Sequence, residues 1–333
     1  MNVDVCCGLN WGDEAKGKVI AHLAKTGKYQ FVCRWAGGHN AGHTVYVNSK
    51  KYKTHLIPCG IFYGVPSIIG PDCVVHQASF EREIETLKSQ GFNTNLVKIS
   101  PKAQLITDLH IEEDKAQYRS QGSTSTGIAP CYRDKYARKG IQVKDVPFFE
   151  KYLWNEVLYG NVLCEGAQGF WLDINQGNYP YVTSSTTLPY GACCLGFAPQ
   201  CIQTIYGVSK IYDTRAGTDP LFPDDLLEDE ELALVAEKGH EYGTTTGRRR
   251  KVNWLNLDKL IEAIQISGST IIIISKTDVL EEVKLFKMFN ENKLEIYNTL
   301  LEMTSVIEST IYIRCPLVKE IIFSNNVETI DGL

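Results

Sequence analysis

Short apolar runs alternate with longer amphipathic stretches along the 333 residues of this chain. That alternation predicts an α/β fold built on a mostly parallel central sheet. Residues 3–9 read as a first strand and 16–25 as the helix that follows it. Residues 31–35, 73–76, 162–165 and 202–206 read as further strands. The plainest pattern is 270–275, where four isoleucines stand between Gly268 and Lys276. A run of that kind fits a strand buried on both faces. Three segments, 120–140, 177–191 and 213–250, are rich in Gly, Ser and Thr and read as long loops, which tend to carry function. There is no internal repeat and no low-complexity linker, so one domain spanning 1–333 is expected.

Composition adds little except by exclusion. A hydrophobic share of 44% and a charged share of 22% suit a globular protein. The formal net charge of -5 argues against bulk binding to nucleic acid. The eleven cysteines include no CxxC pair, and several sit in apolar runs, so free buried thiols in a reducing compartment are expected. No signal-peptide pattern opens the chain and no apolar run reaches membrane-spanning length, which predicts a cytoplasmic protein without a membrane partner.

Candidate chemistry begins directly after the first strand. Gly12, Gly17 and Lys18 satisfy the GxxxxGK part of a phosphate loop, with Asp13, Glu14, Ala15 and Lys16 between them. Backbone N–H groups at such a strand-to-helix turn can cradle phosphate oxygens. The usual Ser or Thr that holds magnesium is replaced by Val19, which makes the Asp13 carboxylate the substitute metal ligand. The next strand runs into Gly37-Gly38-His39-Asn40-Ala41-Gly42-His43-Thr44, where glycines would bring backbone close to a ligand and His43 could act as a general acid. Taken alone, that segment reads better as a turn with a surface histidine.

The isoleucine run leads into Ser275-Lys276-Thr277-Asp278. An aspartate two residues past a lysine at the end of a buried strand can accept hydrogen bonds from guanine N1–H and its 2-amino group. Adenine would leave that carboxylate poorly satisfied. Together with the phosphate loop, this predicts a P-loop-like GTP-binding core. Further segments look suited to anions: Thr244-Thr245-Thr246-Gly247-Arg248-Arg249-Arg250, with planar guanidinium groups, and the 122–127 loop with Thr124, followed by Arg138. Gln168, just past a predicted strand, offers an amide that can donate to and accept from a base, and Thr183 lies in a hydroxyl-rich stretch.

In order along the chain, WGDEAKGK, GGHNAGHT, GSTSTGIAPCYRDKYARKG, EGAQGFWLDINQGNYPYVTSSTT, DTRAGTDP, EYGTTTGRRR and SKTDVL resemble the adenylosuccinate synthetase family over residues 1 to about 280. The resemblance implies a GTP-dependent ligase that joins L-aspartate to C6 of IMP, with Mg2+ as cofactor and a homodimer as the working form. It implies that Asp13 takes the proton from purine N1 and that His43 donates one toward the transferring phosphate. Asp13 and the Gly42 carbonyl would hold the metal. Residues 12–18, Gly42, His43, Thr44, Arg250, Lys276 and Asp278 would bind GTP. Asn40, Thr124, Gln168, Thr183 and Arg248 would bind the purine nucleotide, and Arg138 would reach the nucleotide of the partner subunit. Thr244, Thr245, Thr246, Gly247, Arg248 and Arg250 would hold the aspartate.

Four departures from the family pattern stand out: Ala15 for a glycine, Ser125-Thr126 for a Gly-Arg pair, Ser324-Asn325-Asn326 for a Gly-Pro guanine loop, and a divergent tail from Val279. Two other functions compete. Some viral relatives aminate (d)GMP instead of IMP, and such relatives can lose the two aspartates that this chain keeps at Asp13 and Asp278. A GTP-binding switch without ligase activity is the other, and it would have no use for a carboxylate-binding arginine loop.

Overall fold

The computed structural model describes residues 1–117, 124–242, 247 and 249–324. In chain order the strands are β1 (Asn2–Gly8), β2 (Phe31–Gly37), β3 (His43–Val47), β4 (Lys50–Thr54), β5 (Ser67–His76), β6 (Val97–Ile99), β7 (Gln104–Ile106), β8 (Asn161–Glu165), β9 (Ile202–Lys210), β10 (Tyr212–Arg215), β11 (Lys251–Asn256), β12 (Ile271–Ser275), β13 (Lys287–Asn290), β14 (Lys293–Ile296) and β15 (Glu320–Ser324). The helices are α1 (Lys16–Lys25), α2 (Gln77–Ser89), α3 (Asp108–Gln117), α4 (Ile128–Tyr136), α5 (Glu230–Lys238), α6 (Leu257–Ser267), α7 (Thr277–Val283) and α8 (Leu300–Arg314).

Nine strands form the central sheet in the order β15-β12-β9-β1-β8-β2-β5-β6, with β7 added along β5. Every neighbouring pair in it is parallel. Strand β12 lies inside this sheet. Ile273 faces the cluster of Val19, Ile20 and Leu23 from α1, while Ile272 and Ile274 face the cluster of Leu260, Ile261 and Ile264 from α6. This period-two division between two covered faces explains an unbroken isoleucine run. Each such fully buried side chain contributes about 1.5–3 kcal/mol.

A smaller sheet, β10-β11-β13-β14, and the β3-β4 hairpin stand beside the large one. The hairpin turns on Asn48 and Ser49, both at positive φ, which is the two-residue geometry that matches strand twist. Among the described residues no helix is long and apolar enough to cross a membrane. All eleven cysteines are free thiols, and those of β1, β2, β5 and β8 are buried.

Three expectations need correction. The 120–140 segment is not all loop, since α4 occupies Ile128–Tyr136. Within 213–250, β10 and α5 are regular; the Asp229 carboxylate caps α5 by accepting from Leu232 N–H at 2.9 Å. The strand expected at 73–76 begins at Ser67. Gly70-Pro71 lies inside β5, where this strand bulges: both residues stand opposite the single Trp35 of β2, between the Arg34–Ile69 and Ala36–Asp72 pairs. A Cβ on Gly70 would come within 2.6 Å of the Arg34 carbonyl oxygen, so only glycine lets the strands close there.

Candidate active site

A parallel sheet puts all its strand ends on one edge, and ligands of such sheets bind at that edge where the chain turns away in two directions. Here β1 is flanked by β8 and β9, and the segments leaving β1, β2, β8, β9 and β12 all reach one cavity of about 710 Å³. It lies within the range of roughly 300–1,000 Å³ usual for small-molecule sites.

The segment after β1 is held from within. The Glu14 carboxylate is fully buried and accepts from Asn10 N–H at 3.1 Å, Gly12 N–H at 2.8 Å and the Lys16 ammonium at 2.6 Å. Glu14 is expected from sequence as a GTP residue, yet its side chain serves the loop itself. Gly12, Asp13, Ala15, Lys16, Gly17 and Lys18 line the cavity. Asp13 and Ala15 both take positive φ. Val19 is buried in the core and offers no oxygen to the cavity. The Asp13 carboxylate is paired with the Arg250 Nε at 2.8 Å.

The segment after β2 carries Asn40, Gly42, His43 and Thr44 to the opposite wall. Arg34, fully buried, fixes this turn by donating to the carbonyl oxygens of Ala36 and Gly38 and to that of His55. The His43 Nδ1 lies 2.5 Å from Glu165 Oε1 at the end of β8. Burial alone would raise the Glu165 carboxyl. His43, the Cys59 N–H and Arg34 outweigh it and hold the group below the ordinary glutamate range. An ionised Glu165 makes Nδ1–H the donor and leaves Nε2 as the free ring nitrogen. The Cys59 thiol sits 3.7 Å from the same Nδ1. Imidazole, thiol and carboxylate would suit a soft metal ion, but the 2.5 Å contact is a hydrogen bond and leaves no room for one. Gly17 makes this arrangement possible, because a Cβ there would stand 2.6 Å from the His43 Cβ.

After β8 comes Gln168, at positive φ, whose Oε1 and Nε2 are both buried without a hydrogen-bond partner. Both atoms belong to a residue lining the cavity, so the amide has donor and acceptor capacity to spare there. Thr124, Thr183 and Arg215 complete this side. Arg215 holds the 177–184 stretch through the Tyr181 carbonyl at 2.9 Å, with Nε 3.7 Å from the buried Asp219 carboxylate and Nη1 without a hydrogen bond.

Beyond β9 and β10 lies a buried charge network. Glu241 accepts from Lys210 Nζ at 3.0 and 2.9 Å, from Tyr212 OH at 2.8 Å and from Arg250 Nη1 at 2.6 Å. Burial would raise this carboxyl, but Lys210 and Arg250 bring it down to about 2. Nearby, burial pushes the Asp213 carboxyl up to about 7, even though Asn256 N–H and the Asn10 amide donate to it.

Lys276, N-terminal to α7 and at positive φ, lines the cavity and donates to the Gly239 carbonyl at 2.8 Å. Asp278 is exposed in the first turn of that helix and is not part of the wall. Arg138 does not join the cavity either. It is exposed and borders a second hollow of about 600 Å³ with Lys102 and Lys135. Gly247 is exposed at positive φ, while Thr244, Thr245, Thr246 and Arg248 lie outside the described residues. Sequence reasoning gave no role to Glu165 as the partner of His43, to Lys210 or to Glu241. A glutamate ending an otherwise apolar run was the available signal for the first.

A nucleotide-scale cavity at the strand ends of a parallel sheet, with a phosphate loop, a carboxylate and a carboxylate-held histidine, defines a phosphate-loop enzyme. The chain matches the adenylosuccinate synthetase family over residues 5–157 and 149–308. It is 37% identical to the adenylosuccinate synthetase of Lysinibacillus sphaericus over 347 residues, covering 86% of this chain and 80% of that one. With the Bacteroides fragilis enzyme of the same name it shares 37% over 375 residues, covering 95% and 88%. The fully ligated adenylosuccinate synthetase from Plasmodium falciparum superposes with a TM-score of 0.83 at 27% identity, covering 98% of each chain. The cyanophage S-2L succinoaminodeoxyadenylate synthetase, bound to dGMP and dATP, shares the fold at a TM-score of 0.68 and 20% identity, over 92% and 99%. The chain belongs to the adenylosuccinate synthetase family.

Proposed function

We propose that this protein is a GTP-dependent ligase that joins L-aspartate to C6 of IMP, giving adenylosuccinate, GDP and phosphate. The observation that carries its chemistry is the convergence on one cavity of the Asp13 carboxylate, the Glu165-held His43 and the unpartnered amide of Gln168.

The roles follow from what each group can do. Gln168 would read the purine, with Asn40, Thr124 and Thr183 about the rest of the nucleotide. Asp13 would take the N1 proton, so that electron density moves to the 6-oxygen, which attacks the γ-phosphorus of GTP as GDP departs. His43 Nε2 would face the transferring phosphoryl group and donate a hydrogen bond as charge develops there. The amine of L-aspartate would then bond to C6 as the phosphate leaves with its oxygen. Most of the acceleration would come from positioning and charge stabilisation, as in other phosphoryl transfers. Arg250, with the 244–248 segment, would receive the aspartate carboxylates, and Lys276 with Asp278 would select guanine.

The donors fit Mg2+: the Asp13 carboxylate and the Gly42 carbonyl are hard oxygen ligands, and Val19 offers none. When bound there, the ion would neutralise charge on the phosphate oxygens. Arg138, exposed and away from the central cavity, supports a homodimer in which it serves the nucleotide of a second copy. IMP is favoured over (d)GMP because Asp13 and Asp278 are both retained.

Asp13→Ala tests the base assignment. Phosphate release should fall by at least about 10³-fold while the circular dichroism spectrum is unchanged. A variant that kept most of its turnover would remove Asp13 from that role.

A further inference from the structure

Tyr242 and Arg249, on either side of 243–248, are held to one another. They bridge as an antiparallel pair, and Arg250 N–H donates to the Glu241 carbonyl at 2.9 Å. The side chains repeat that link, since Arg250 Nη1 donates to Glu241 Oε2 at 2.6 Å. Glu241 is 1% exposed and Lys210 3%, so this is a buried carboxylate fastened to the end of β9 as well. The other edge of the same guanidinium meets Asp13. Two cations, Lys210 and Arg250, thus balance two anions, Glu241 and Asp13, across the two loops.

A guanidinium is rigid and planar, so fixing Nη1 also sets where Nε points. Arg250 carries four rotatable bonds and would otherwise sample many positions. We infer that Glu241 is a positioning residue: anchored to Lys210 at the end of β9, it holds Arg250 in the orientation that meets Asp13 of the phosphate loop. This rests on the placement of Arg250 in the substrate site. Glu241 itself touches no substrate; it acts through Arg250.

The test is a double-mutant cycle on steady-state kinetics with GTP, IMP and L-aspartate. Glu241→Gln keeps the shape but turns an amide donor or a weaker acceptor toward Arg250. Its kcat/KM for L-aspartate should fall about tenfold or more, as for loss of a charge-assisted hydrogen bond. Acting through Arg250, the substitution should add little once Arg250→Met is present, leaving the double variant within about twofold of Arg250→Met alone. If Glu241→Gln does not fold, Glu241→Asp keeps the buried charge and withdraws it by one methylene, and the cycle is run with that variant. Losses that simply multiply would overturn the inference, as would a lowered melting temperature with unchanged kcat/KM. If Arg250→Met alone changes no kinetic constant, the placement of Arg250 is what fails, and the inference falls with it.

Discussion

A histidine whose Nδ1–H is given to a buried carboxylate has one nitrogen left for chemistry, and its ring is held in one plane. Glu165 does this for His43 and is itself fixed by the Cys59 N–H at 2.7 Å. In Glu165→Gln the ring is free to take the other tautomer, and the hydrogen bond that stabilises an imidazolium is lost. We expect kcat to drop by about 10²–10³-fold with little change in melting temperature, read from phosphate release and thermal unfolding. A variant within about threefold of wild type would mean His43 needs no such partner. Asp13 and His43 are legible in the sequence because each sits in a compact motif next to a strand end. Glu165 and Glu241 are not, because they act across the fold. The partners His43 and Glu165 are 122 positions apart and Lys210 and Glu241 are 31 apart, so no local spacing joins them.

At the scale of elements, the site depends on how near α1 can come to β3. Gly17 in the first turn of that helix faces the His43 side chain with no space for a methyl group. Gly17→Ala should fold, because alanine favours helix, but His43 must shift to admit it. A displacement near 1 Å at a catalytic group costs about 10²-fold in rate, so kcat should fall by that order. Unchanged kcat with an ordered α1 would show that the approach is not needed. Sequence pattern marks out α1 and β12 well: α1 runs from 16 to 25 as expected, and β12 differs by one residue. It fails where local cues and tertiary context conflict. The Gly70-Pro71 pair breaks the apolar run of β5 although the strand continues through the bulge. Helices α4 and α5, of nine residues each, are embedded in loop-like composition and too short to show a clear period.

At the scale of the molecule, nine parallel strands deliver their carboxyl ends to one edge, and this is why motifs from residue 12 to residue 276 share a cavity. The sheet could be expected from the alternation of runs. Its order could not, because the strand order depends on which helices cross which neighbours, and the divergent tail gives no hint that β15 pairs with β12. The net charge of -5 sits with a positively lined cavity containing Lys16, Lys18, Lys210, Arg215 and Arg250, so anionic ligands are drawn to the cavity while the chain as a whole is acidic.

That cavity is the place to test the central claim, through the identity of the acceptor. Phosphate release from GTP should be measured with L-aspartate and, side by side, IMP, GMP or dGMP. Turnover that requires both IMP and L-aspartate, and exceeds that with dGMP by at least about tenfold in kcat/KM, is the expected result. Preference for dGMP would contradict the assignment of IMP, and GTP hydrolysis independent of purine and aspartate would contradict the ligase itself.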